Sequence, residues 1–200
     1  MSKKVKISIQ GNEFLIPSES IQTYTGNPHL NPETYVYMRA KLCASIIKQF
    51  VKKNYPNLKV WSKSSVYSGG SSVDVDVCNS DGSSVDESIF ENISKWKSIL
   101  QGGSFDGMYD IYNYREDSPA TDNGTPLKYF PSYVFINNKP KWGTVEYWVN
   151  QYNKYKANIN NPDYSKQTEI MNEKYNGSFL EMNKTYMTKK EYEKCSLVLS

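Results

Sequence analysis

After the paired glycines Gly69-Gly70 the chain runs Ser71-Ser72-Val73-Asp74-Val75-Asp76-Val77-Cys78, and this strict alternation of β-branched and acidic residues suits a strand far better than a helix. Successive strand side chains leave on opposite faces. Val73, Val75 and Val77 therefore share a face that has to be covered, while Asp74 and Asp76 share the face that meets water. Leu58 to Lys63 reads as the preceding strand, joined through Val66-Tyr67-Ser68-Gly69-Gly70, where the glycines permit positive φ. With Leu58 and Val60 facing the core, Lys59 and Lys63 point to the same side as the aspartates.

Helical spacing supplies the cover. Asn31-Pro32-Glu33 is a helix start, with asparagine as cap and proline at the first helical position, and the predicted helix runs to Asn54. Tyr35, Met38, Leu42, Cys43, Ile46, Ile47 and Phe50 form its apolar stripe, with Arg39, Lys41, Lys48 and Lys52 on or near the other side. Ser84-Val85-Asp86-Glu87 has the form of a capping box opening a second helix to Leu100, with Val85, Ile89, Ile93, Trp96 and Leu100 inward and Gly102-Gly103 as the stop. Val5 to Ile9 and Phe14 to Ile16 read as a hairpin, Tyr109 to Tyr114 as a third strand and Tyr133 to Ile136 as a fourth. Glu116 to Pro126 reads as a polar loop and Gly143 to Lys156 as a helix. The expected fold is α+β: a mainly antiparallel sheet of four to six strands packed on two or three helices, forming one domain over 1–157. Residues 158–200 are expected to add a loose helical C-terminal appendage.

Charge narrows function little. The 24 basic and 21 acidic side chains leave a formal net charge of +3, mixed along the chain. Aromatic residues make up 14% of the chain, 17 of them tyrosines, enough apolar area for a folded core in an otherwise polar sequence. No apolar run is long enough to cross a membrane and the amino terminus lacks a signal-peptide pattern, so a cytoplasmic protein is expected. Cys43, Cys78 and Cys195 are widely spaced, and His29 is the single histidine, so neither a disulfide framework nor a zinc site is expected.

Two phrases carry a resemblance. Tyr55-Pro56-Asn57-Leu58-Lys59-Val60 leads into Tyr67-Ser68-Gly69-Gly70-Ser71-Ser72, and after a strand and a helix comes Gly103-Ser104-Phe105-Asp106-Gly107-Met108. In this order, over a core of about 35–138, the chain resembles the large polyvalent protein-associated domains, in particular the twenty-ninth family of that series. The resemblance implies a protein of phages or other mobile genetic elements that counters host defence. The family has no established catalytic residues, so the resemblance assigns none here.

Several readings compete on the residues themselves. Gly69-Gly70-Ser71-Ser72 before Asp74 and Asp76 is reminiscent of metal-dependent nucleotidyl transfer, with Asp106 and Asp110 as further carboxylates. Such enzymes, however, place a helix between the Gly-Ser turn and the carboxylate strand, and surface pairing with Lys59 and Lys63 is the plainer account. His29, between two prolines, reads as a surface residue, and no cysteine has an activating partner in view. No phosphate-binding loop or dinucleotide fingerprint is present, and no cofactor or metal is expected. The leading expectation is a non-enzymatic protein that binds a host or phage protein through Tyr109, Tyr112, Tyr114, Arg115, Lys128, Tyr129, Phe130 and Tyr133. Nucleic-acid binding by the same rings is the alternative, opposed by Asp110, Glu116, Asp117 and Asp122.

Overall fold

The computed structural model describes residues 3–25, 32–140, 143–158, 169, 175 and 178–199. The chain is α+β, and two compact units divide it: residues 1–77 with 85–138, and residues 78–84 with 139–200. Among the described residues the strands fall into four small sheets.

In the first unit, β1 (Lys4–Ile9) and β2 (Asn12–Pro17) form the expected antiparallel hairpin around Gln10 and Gly11, both at positive φ. The polar loop beyond Glu116 is tied to it. Asp122 accepts hydrogen bonds from the Ser8 hydroxyl and, at 2.9 Å, from the Gly11 N–H, so its carboxyl is held below the usual range.

β3 (Ile21–Tyr24) pairs antiparallel with β4 (Glu33–Tyr37), which lies parallel to the short β9 (Leu127–Lys128). The helix expected from Asn31 thus begins only at Ala40: α1 spans Ala40–Asn54. Thr34-Tyr35-Val36-Tyr37 is a β-branched and aromatic run whose strand preference wins, and Tyr35, Val36 and Met38 are buried by sheet pairing. Their helix-like spacing is coincidental. His29 and the expected cap Asn31 lie outside the described residues.

The alternating valine stretch is β6 (Gly70–Asn79), flanked by β5 (Leu58–Tyr67) and by β10 (Tyr133–Asn138). A two-residue connection makes β5 and β6 antiparallel neighbours, whereas β10 runs parallel to β6, with Val134 opposite Val73 and Phe135 opposite Asp74. Val73, Val75, Val77 and Val134 have no exposed surface.

α1 and α2 (Glu87–Leu100) cover that face. The capping box does not form at Ser84; Asp86 is the cap and accepts from the Ser88 N–H at 3.0 Å. Trp96 stands edge-on to Phe14 at 5.3 Å and beside Phe50 at 5.0 Å, joining hairpin and both helices in one core. Each large side chain buried there contributes about 1.5–3 kcal/mol.

The first unit is completed by a second hairpin. β7 (Gly103–Asp106) pairs with β8 (Ile111–Tyr114), the latter shorter than the strand expected from Tyr109. Tyr109 sits instead in the connecting turn, where Asp110 has φ 53° and the Asp106 carboxylate accepts from the Met108 N–H at 2.9 Å.

In the second unit α3 (Val145–Asn158), α4 (Phe179–Asn183) and α5 (Lys189–Leu199) gather around buried Trp148, Phe179 and Cys195. Tyr152 and Tyr155 pack on the Phe179 ring at 5.5 and 5.9 Å. No described helix is long and apolar enough to cross a membrane.

Candidate functional site

Arg115 organises the surface on which the expected contact residues meet. It follows β8 directly, and its N–H bonds the Gly102 carbonyl at 2.9 Å, extending the hairpin by one pair. Its guanidinium donates to the Ile99 and Gln101 carbonyls at 2.9 and 3.0 Å, stitching the hairpin to the end of α2. The other edge of the fork grips both Asp117 carboxylate oxygens, at 2.7 and 2.6 Å, and holds that carboxyl below its usual range. Phe130 lies beneath the same plane at 4.7 Å. Arg115 is a fastener, with its charge already matched.

The remaining expected residues divide between scaffold and free surface. Tyr112 donates its hydroxyl to the Ser132 carbonyl at 2.6 Å and meets Tyr133 edge-on at 5.7 Å; burial pushes its pKa up to about 12. Tyr133 in turn stacks on Phe135 at 6.1 Å. Lys128 is ion-paired with Glu33 and lies over the Tyr35 ring. Tyr129, at φ 62°, stands against Tyr35 and Tyr37 at 5.5 and 5.3 Å yet remains 61% exposed. Tyr109 and Tyr114 are more open still, at 70% and 77%.

The β7–β8 hairpin carries more exposed apolar surface than the sequence pattern identified. Phe105 (49%), Met108 (85%) and Ile111 (54%) join Tyr109 and Tyr114 on it. The pairing of Phe105 with Tyr112 and of Gly103 with Tyr114 puts Phe105 and Tyr114 on one face and Ile111 on the other, with Met108 and Tyr109 at the tip. The hairpin is a finger, apolar on its tip and on both faces. Met108 and Ile111 were legible as apolar residues but not as exposed ones, because nothing local says that this strand pair lacks a cover.

Beside the finger opens a groove of about 470 Å³, walled by Tyr37, Tyr112, Tyr114, Tyr129 and Phe130, with Arg39 and the start of α1 at its edge. No carboxylate lines it among the described residues. Tyr37 and Arg39 come from a segment far from the other rings in sequence, so nothing in the chain's local pattern pointed to their joining the site. A second, shallower cleft of about 640 Å³ lies between α2 and β8 and includes Glu116 and Asp117.

Asp74 and Asp76 lie on the outward face of β6, and Asp76 accepts from the Asn137 side chain at 2.9 Å. Trp61 and Phe135, 47% and 44% exposed, are their neighbours on the flanking strands. Among the described residues no three metal-ligating side chains gather at any point. All three cysteines are buried, and burial pushes the Cys43 and Cys195 thiols up, away from the reactive thiolate form.

Comparison with protein-family models, with curated proteins and with solved structures gives no match to this chain.

Proposed function

We propose that the chain is a non-enzymatic binding protein that docks a protein partner through the β7–β8 finger. The observation that carries this reading is the exposure of Phe105, Met108, Tyr109, Ile111 and Tyr114 on one short hairpin. Single apolar residues on a surface are ordinary, but five exposed ones on one short hairpin mark an interaction site, because covering them recovers hydrophobic free energy that the chain alone leaves unused. Aromatic and methionine side chains are also the usual anchors of protein interfaces.

The fastening of the finger supports the same reading. Arg115 and Tyr112 fix its base through the Ile99, Gln101 and Ser132 carbonyls, so little ordering is left to be paid on binding. A nucleic-acid partner is less well served: Asp106 and Asp110 flank the tip rings, and the hairpin carries no cation. The resemblance of phrases between residues 35 and 138 to polyvalent protein-associated domains supports, in this proposal, a phage or mobile-element protein acting in the bacterial cytoplasm. The partner would then be a component of host defence.

The test is affinity capture from bacterial lysate with and without nuclease, comparing the wild-type chain with Met108→Ser/Tyr109→Ser/Ile111→Ser. These side chains are exposed, so the variant keeps its fold by circular dichroism. A discrete protein captured by the wild type after nuclease and lost by the variant is expected. Capture that survives the substitutions, or that disappears with nuclease alone, overturns the reading.

A further inference from the structure

Around the groove beside the finger, the cations are not equivalent. Arg115 is committed to Asp117 and to two backbone carbonyls, and Lys128 to Glu33. Arg39 is exposed, lies 5.5 Å from the Tyr37 ring centre, and pairs with no carboxylate among the described residues. Among the described residues the lining holds no Asp or Glu to neutralise it, but it does include Ser71 and Ser132, whose hydroxyls can donate. α1 starts from Arg39 with no acidic residue in its first turn and no side-chain cap, so the backbone there adds partial positive charge to that of the guanidinium.

The walls ask for a different kind of group. Tyr114 and Tyr129 are 77% and 61% exposed and face a space bounded by Tyr37, Tyr112 and Phe130. Tyr129 is kept there at positive φ, a costly conformation for an aromatic residue, with one side against Tyr35 and Tyr37 and the residue still 61% exposed. A Cβ at Gly70 would lie 2.6 Å from the Ser132 hydroxyl, so the floor also depends on the absence of a side chain. At about 470 Å³ the groove falls within the range of small-molecule sites, roughly 300–1,000 Å³.

We propose that this groove binds a nucleoside monophosphate, with the phosphate on Arg39 and the serine hydroxyls and the base against the tyrosine rings. A planar ring suits aromatic walls whatever its edge pattern. Three phosphate oxygens use a donor-rich, carboxylate-free end better than the two of a carboxylate. A long nucleic-acid strand is disfavoured because it needs several cations along its backbone and, among the described residues, the groove offers one uncommitted one. This site goes beyond the protein-docking reading and uses residues outside the finger tip, so either can fail without the other.

The experiment is isothermal titration calorimetry of the full chain with AMP and with UMP, set beside adenosine, uridine and inorganic phosphate alone. At least one monophosphate is expected to bind more tightly than both its nucleoside and phosphate. Arg39→Ala should weaken it roughly ten- to a hundredfold, the loss of a charge-assisted contact. Arg39→Lys should recover part of that loss, and Met108→Ser/Tyr109→Ser/Ile111→Ser should leave binding unchanged. Absence of binding by both monophosphates at millimolar concentration overturns the proposal. So does equal binding of nucleoside and nucleotide, equal binding of free phosphate, or an Arg39→Ala protein that folds and binds as the wild type does.

Discussion

Arg115 satisfies two backbone carbonyls at the end of α2 and a carboxylate in the following loop while covering Phe130, so its removal leaves several acceptors short at once. Arg115→Ala is expected to destabilise the first unit by about 2–3 kcal/mol, read by denaturant unfolding. Arg115→Lys should recover little, since an ammonium lacks the fork that reaches both sides. Tyr112 makes a pH-dependent contribution of definite sign. Its folded pKa is raised from 10.0 to about 12, so the neutral phenol is the form the fold favours. Stability from this group is present in full below pH 10 and is lost as pH rises from 10 toward 12. Tyr112→Phe should lower stability by about 1 kcal/mol at neutral pH, and its alkaline decline should be shallower than that of the wild type.

At the scale of elements, legibility depended on whether the signal was local. Val73, Val75 and Val77 alternate within one strand and are covered as read, and Ile93, Trp96 and Leu100 keep their helical stripe. β4 imitates a helix because Tyr35, Met38 and Leu42 happen to sit at helical spacing, while what fixes the segment is pairing with β3 and β9, contributed from both sides in sequence. β7 was hidden for a similar reason: Phe105-Asp106-Gly107-Met108 signals a turn, and the strand feeding that turn is seen only once β8 pairs with it. Gly103 makes the pairing sensitive to one methyl group. A Cβ there would overlap the Asn113 carbonyl and crowd Tyr114, so Gly103→Ala is expected to loosen the finger. Faster amide hydrogen exchange over residues 103–114, with little change in α1, is the outcome that checks it.

Across the whole molecule, the α+β class followed from two periodicities in one chain, and the second unit's helices enclose a small core of Trp148, Phe179 and Cys195. The candidate site was legible as a list of rings between Tyr109 and Tyr133. What the list lacked was roles: which rings are props, which stay free, and that Tyr37 and Arg39 complete the groove. Those depend on the cover an element receives from distant parts of the chain, which sequence periodicity does not encode. The central claim is that the finger is where a protein partner sits. Its most direct test places a photo-reactive phenylalanine analogue at position 109, and separately at position 61 on the outer sheet face, in bacterial cells producing the chain. A discrete protein adduct from position 109 and none from position 61 is the predicted result; no protein adduct from 109, or the same adducts from both positions, would contradict it.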